Sequence, residues 1–174
     1  MARAALTSRT RRGREPVIDE TSFASRLRSH GAAFVTLTKD AALRGCIGSL
    51  KAHQPLVADV AANAIKAGHS DPRFSPVTLA ELEAVTLKIA VLGPPARMRF
   101  SSQEDLLSQL RPGEDGLILA DGARRGTFLP MVWESLPEPG DFWRHLKRKA
   151  GLREDHWSDT LTVERYRAES FSES

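Results

Sequence analysis

Two hydrophobic periods alternate along this chain and separate its helices from its strands. Leu56, Val57, Val60, Ala61, Ala64, Ile65 and Ala67 recur at helical spacing, which predicts a helix with one broad apolar face. Pro55 suits its first turn, and Gly68 or the polar turn beyond it ends it. The stretch Asp71-Pro72-Arg73-Phe74-Ser75-Pro76 then reads as a stiff, extended connection, because each residue before a proline is pushed out of the helical region.

Residues 32–38 and 43–50 read as two extended segments linked by Lys39-Asp40-Ala41-Ala42, and residues 85–92 as a third that stops at Gly93-Pro94-Pro95. Residues 117–120 and 127–129 are expected to pair across Asp121-Gly122-Ala123-Arg124, since Asp-Gly favours a tight hairpin turn. Capping spacing at Thr78-Leu79-Ala80-Glu81 and at Ser101-Ser102-Gln103-Glu104 predicts two brief helices, the second over 105–110. A leading helix over 16–30 would carry Ile18, Phe23 and Leu27 and end at Gly31, and another over 141–150 would close at Gly151. Leu161, Val163 and Tyr166 mark a last strand before a polar, flexible terminus at 171–174.

Short strands mixed with helices, without regular βαβ spacing, argue for an α+β fold and against a dinucleotide-binding one. Neither a Gly-x-Gly-x-x-Gly turn nor a phosphate-binding Gly-Lys-Ser/Thr motif occurs. The chain's 174 residues, 41% hydrophobic with eleven aromatics, suit one cooperative domain over residues 16–170.

The net charge of +3 is unevenly placed. Arg3, Arg9, Arg11, Arg12 and Arg14 against Glu15 give residues 1–15 a charge of +4, which leaves the rest at −1. That distribution predicts a disordered, Arg-rich arm ahead of the domain, and it argues against specific nucleic-acid binding, which needs a basic patch on the folded surface. The first twenty residues lack an apolar run and none of eighteen residues occurs anywhere, so a cytoplasmic protein without a membrane span is expected. A single cysteine fits a reducing compartment.

Residues 43–50, Leu-Arg-Gly-Cys-Ile-Gly-Ser-Leu, set that cysteine between two glycines with Arg44 two places upstream. Glycines open the backbone, a guanidinium favours a thiolate, and burial penalises one. Alternation along a strand puts Arg44, Cys46 and Gly48 on one face. Three readings of Cys46 stay open: a packed side chain, a ligand contact, or a nucleophile. Arg44 would orient a small polar or anionic substrate, with Gly45 and Gly48 exposing backbone donors to a carboxylate or oxyanion. Asp71 or His69 would shuttle the proton, and His53 is a further histidine the chain could fold back.

Arg73 is an anion clamp in one reading; in the other, Asp71 caps a turn, Phe74 anchors it and Arg73 pairs locally. Asn63 either enters the site or sits at its solvent boundary. Lys147 and Lys149, beside Arg144 and Arg148, read as a solvated helical face. Trp133, Phe142 and Trp143 read as residues that pack or define an interface. One cysteine and five scattered histidines form no paired metal signature, so no metal ligand is expected.

The ordered combination of Gly31-Ala32-Ala33-Phe34-Val35-Thr36-Leu37, Leu43-Arg44-Gly45-Cys46-Ile47-Gly48, Asp71-Pro72-Arg73-Phe74, Phe128-Leu129-Pro130 and Lys149-Ala150-Gly151-Leu152 resembles the AMMECR domain family over residues 17–168. The resemblance implies an α+β domain with two subdomains flanking a cleft, the Arg-Gly-Cys-Ile-Gly loop near its functional surface, and Arg44, Gly45, Cys46 and Gly48 ahead of Asp71 and Arg73 as site candidates. The family usually carries Gln after its Leu-Pro pair, where this chain has Met131. The resemblance also implies a pathway shared with a Memo-like protein and a radical S-adenosylmethionine protein. It names no reaction and no cofactor, and the Cys-x-x-x-Cys-x-x-Cys cluster motif of the radical partner is absent here. Two function classes therefore stand: an enzyme or enzyme component, and a non-catalytic adaptor or ligand-binding protein.

Overall fold

The structure is a computed structural model that describes residues 1–173, and the chain divides into two compact units, Met1–Leu92 with the stretch from Glu169, and Gly93–Ala168. The first unit begins with α1 (Ala2–Arg12), a single helical turn α2 (Ser25–Arg28), the hairpin β1 (His30–Lys39) and β2 (Ala42–Gly48), and a two-residue strand β3 (Gln54–Pro55). Then come α3 (Leu56–His69) and β4 (Val85–Leu92), and the end of the chain supplies β9 (Ala168–Ser172). The sheet runs β2-β1-β4-β9, with β3 paired to the start of β1.

In β1 the odd positions Ala33, Val35 and Leu37 meet Leu56, Val60, Ala64 and Ala67 of α3 in one core with Val85 and Leu87. Period two in the strands and the wide apolar stripe of α3 thus bury one face of the sheet. Phe34 and Thr36 fall on the other face, with Gly48 and Cys46 beside them on β2 and Ala90 and Lys88 on β4. The β1–β2 hairpin turns through Asp40 and Ala41 at φ 50° and 63°, the left-handed pair that a two-residue turn demands.

In place of the disordered arm expected over 1–15, α1 is an ordered helix. Ala2, Ala5 and Leu6 recur one helical turn apart and are buried, and Leu6 fits so closely over Gly68 of α3 that a Cβ there would lie 2.4 Å from its methyl carbon. Burying that leucine is worth about 2 kcal/mol. Arg3, far from being solvated, donates to Leu82 O and Val85 O at 2.6 Å each and pairs with Glu173. Of the polar end expected to be flexible over 171–174, residues 171 and 172 instead belong to β9 beside β4, Glu173 N–H donates to Leu87 O, and Ser174 lies outside the described residues. The leading helix shrinks to a 3-10 turn and α2, with Leu27 exposed, and Gly31 lies inside β1 instead of ending a helix.

The second unit contains β5 (Ala96–Arg97), α4 (Gln103–Ser108), β6 (Gly116–Asp121), β7 (Arg124–Phe128), α5 (Pro139–Lys149) and β8 (Thr162–Tyr166). Its antiparallel sheet runs β5-β8-β6-β7 around a separate core containing Leu117, Leu119, Val163, Trp133, Phe142 and Trp143. The β6–β7 hairpin turns at Gly122, as expected, with φ 58°. Lys147 is not solvated. It is 1% exposed, and its ammonium donates to Gln103 Oε1 at 3.1 Å and His156 O at 3.3 Å. Gly93 N–H donates to Arg167 O at 2.8 Å, so the two strands of chain that lead into and out of this unit lie side by side.

Candidate functional site

β2 is an edge strand, and an edge leaves N–H and C=O groups unpaired unless something covers them. Thr36 and Cys46 face each other across β1 and β2, and Cys46 directs both of its backbone polar groups away from β1. Its N–H donates to Asp71 Oδ2 at 2.9 Å, and its carbonyl accepts from Arg73 Nη2 at 3.4 Å. The Asp71-Pro72-Arg73-Phe74 turn therefore acts as a short stand-in for a missing neighbour strand.

Asp71 is 4% exposed and receives four donors: Cys46 N–H, Arg73 N–H, and Arg73 Nε and Nη2 at 2.9 and 2.7 Å. The Arg73 hydrogen bonds, aided by the two backbone N–H groups and the guanidinium charge, hold the carboxyl far below the ordinary carboxylate range against the opposing effect of burial. A carboxylate so placed is a fixed acceptor, and the proton-shuttle role expected of it does not suit this geometry. The structural account of the Asp71–Arg73 pair describes it better.

Cys46 is half-buried, and its Sγ lies 3.2 Å from Thr36 Oγ1. The two side chains meet because non-hydrogen-bonded cross-strand pairs approach closely. Lys88 sits opposite Thr36 on β4, which produces a transverse row of thiol, hydroxyl and ammonium on the face turned away from α3. Lys88 is half-buried and has no carboxylate partner among the described residues.

Arg44 does not serve the sulfur. The β1–β2 register shifts between Leu37 and Thr38, so a bulge at Arg44 breaks the alternation that would have placed it with Cys46. Its Nε and Nη2 donate to the two oxygens of Glu81 at 2.9 and 3.1 Å, and its Nη1 is buried without a hydrogen-bond partner among the described residues. Both this guanidinium, at 5.8 Å, and that of Arg73, at 5.4 Å, stand over the Phe74 ring. Hydrogen bonds from Arg44, then from Thr78, draw Glu81 down to about 2.

The glycines also differ from expectation. Neither Gly45 nor Gly48 has a positive φ; each is small because something occupies the space of its side chain. A Cβ on Gly45 would stand 2.1 Å from Ala67 O of α3, and one on Gly48 would stand 2.2 Å from the Phe34 ring. They serve packing rather than exposing donors to a ligand. Asn63 is 2% exposed and donates to Ala33 O, Ser49 Oγ and Asp59 Oδ2, a buried network on the α3 side. His69 bonds Thr10 of α1 through Nε2 at 2.9 Å. Since the Thr10 hydroxyl donates to Leu6 O, Nε2 is the donor, and burial followed by the Arg9 charge pushes the imidazole down. His53 is exposed and meets only Lys51 O.

The structure thus gathers Cys46, Asp71 and Arg73, diverts Arg44, and leaves Asn63 and His69 in other networks. Thr36 and Lys88 were not singled out from sequence. The alternation of Ala33, Val35 and Leu37 already placed Thr36 on the opposite face, but pairing Lys88 with it requires the register.

Against this fold and site stand the comparisons with known proteins. A sequence model of the AMMECR1 family matches residues 1–171, and the chain belongs to that family. The match includes α1, ahead of the stretch where the resemblance was read. Protein MJ0810 of Methanocaldococcus jannaschii is 35% identical over 140 residues, covering 77% of this chain and 68% of that protein. A protein of Thermotoga maritima is 36% identical over 155 residues, covering 88% and 84%. The crystal structure of protein PH0010 from Pyrococcus horikoshii superposes with a TM-score of 0.93 at 32% identity, covering 99% of this chain and 88% of that one.

The Arg44–Glu81 pair sets an acid dependence. A carboxylate held at about 2 in the fold but near 4.5 when free stabilises fully above the free value and loses its contribution as pH falls toward the folded one. Glu81→Gln is therefore expected to cost about 1 kcal/mol at pH 7 and progressively less as the pH is lowered toward 2. Urea midpoints of both chains across that range check it; a pH-independent difference would contradict the assignment.

Proposed function

We propose that this chain is a ligand-binding protein that accepts a small anionic group on the sheet face carrying Cys46, Thr36 and Lys88, and that Cys46 contacts the ligand without forming a covalent intermediate. The observation that carries the reading is the neighbourhood of the sulfur. The only side-chain hydrogen-bond partner at its Sγ among the described residues is the Thr36 hydroxyl, and the three groups expected as its base or charge partner are bound to other side chains, Arg44 to Glu81, Asp71 to Arg73, and His69 to Thr10. A nucleophilic cysteine is served by a general base placed to take its proton, and no such base bonds this sulfur among the described residues. Lys88, half-buried and without a carboxylate, supplies the charge that an anion would neutralise.

In this reading the chain acts in the cytoplasm and exchanges its ligand with the Memo-like and radical S-adenosylmethionine proteins that the family resemblance implies as partners. No helix among the described residues is long and apolar enough to cross a membrane. The test is a thermal-shift screen of small carboxylates and phosphates, followed by calorimetry on variants. Lys88→Gln is expected to weaken a binder about tenfold or more, whereas Cys46→Ser changes its affinity less than about threefold. A ligand-derived mass increment on Cys46, or turnover abolished by Cys46→Ser alone, would establish the enzyme class instead.

A further inference from the structure

A second site lies wholly within the unit Gly93–Ala168. Residues 97–101, 157–159, 161 and 162 line a depression of about 650 Å³, a volume suited to a small organic molecule. Its far wall is a pinned loop. Asp121 accepts hydrogen bonds from Ser158 at 2.9 Å and Thr160 at 2.5 Å, and it pairs with His156 at 2.5 Å. These hydrogen bonds, from Thr160 first, hold Asp121 down to about 2. With alternate residues 156, 158 and 160 tied to one carboxylate, the intervening Trp157 and Asp159 are left to line the depression.

Trp157 is 38% exposed and its ring stands edge-on to Phe100 at 5.6 Å. The other two tryptophans, Trp133 and Trp143, are buried at 3% and 1%. A tryptophan held at the surface by a rigid loop and braced by a second ring is a ready stacking platform. The three lining hydroxyls are already satisfied: Ser101 donates to Asp105, Ser158 to Asp121 and Thr162 to Ala120 O. The charged lining groups, Arg97, Arg99 and Asp159, make no side-chain hydrogen bond or ion pair among the described residues. Arg97, at the end of β5, and Arg99 are both exposed on either side of buried Met98, and both line the depression.

We infer that this depression binds a mononucleotide, with the base stacked on Trp157, the phosphate held by Arg97 and Arg99, and the amino or hydroxyl donors of base and sugar received by Asp159. A planar ring plus an anion is the ligand chemistry that this pairing of an indole with two unpaired guanidinium groups recognises. Neither inorganic phosphate nor an aromatic ring alone satisfies both halves.

Tryptophan emission provides the readout, because Trp157 is the only exposed tryptophan. The full chain is titrated with AMP, adenosine and ribose 5-phosphate. AMP is expected to quench saturably, and each half-ligand to bind at least about tenfold more weakly. Calorimetry on variants separates the contacts. Arg97→Ala with Arg99→Ala should weaken AMP about tenfold or more without changing the weak affinity for adenosine, and Trp157→Ala should weaken both. Trp157→Phe, which keeps a ring, should retain most of the affinity. All of these side chains are solvent-facing, and unchanged melting temperatures confirm that the variants fold. Absence of saturable AMP binding up to about 5 mM, a range that reaches affinities of only a few kcal/mol, would overturn the assignment. So would AMP affinity indifferent to the arginine pair. A single-stranded decanucleotide held more than about tenfold tighter than AMP would overturn the mononucleotide reading in favour of a polymer.

Discussion

Asp71→Ala is expected to destabilise the protein by about 3 kcal/mol. The substitution removes one acceptor that serves four donors, so the Cys46 N–H loses its only cover on the sheet edge while the Arg73 guanidinium, half-exposed at 53%, recovers part of its solvation. The loss should thus fall below that of a fully buried pair. Asp71→Asn keeps the shape and one carbonyl acceptor, and is expected to cost about half as much. Chemical denaturation measures the totals. Amide hydrogen exchange locates them: the Cys46 N–H should exchange much faster in Asp71→Ala while amides of α5 are unaffected. A loss below about 1 kcal/mol, or unchanged exchange at Cys46, would show that the turn does not cover the edge.

Gly45→Ala should be as damaging or worse. The new Cβ would lie 2.1 Å from Ala67 O, and that obstacle is main chain in a helix, which cannot rotate away as a side chain can. Either α3 lifts off the sheet or β2 shifts outward, and overpacking of this kind costs about 3 kcal/mol or more. Two other glycines grade the effect. At Gly48 the obstacle is the Phe34 ring, which can swing aside, so Gly48→Ala should cost less. Gly140 has nothing within 4 Å of its added Cβ and lies in the first turn of α5, so Gly140→Ala should be neutral or slightly stabilising. An order of melting temperatures other than Gly140→Ala above Gly48→Ala above Gly45→Ala would refute the packing account.

Local pattern made much of this fold legible. The apolar stripe of α3, the run of β4 and the Asp-Gly turn between β6 and β7 each rest on residues that are neighbours in sequence, and all three occur as expected. What escaped notice depended on partners far along the chain. Five arginines within residues 1–15 suggest solvent, yet the buried Ala2, Ala5 and Leu6 among them suffice because Gly68 leaves room for Leu6. The polar sequence of β9 carries little strand signal of its own and is recruited by the edge of β4. Lys147 looked like one charge among four, but its place on α5 faces Gln103 and the carbonyl of His156.

The candidate site divides in the same way. The Cys46 segment and the Asp71 turn were visible as motifs, and their union is real. The error lay in assuming strict alternation through Arg44: a single bulge re-aimed the guanidinium and handed it to Glu81. Glycines on both sides of the cysteine looked like openings, whereas the helix and the Phe34 ring fill them.

The hydrogen bond between Gly93 and Arg167 bears on how this chain can change over time. A segment that departs and returns at the same point is a guest within a host, and closely spaced ends are the condition under which insertion and replacement are tolerated. The stretch from Gly93 to Ala168, with a core of its own, can therefore be lengthened, remodelled or exchanged while the sheet that carries Cys46 keeps its strand order. Selection can remodel one half without renegotiating the other.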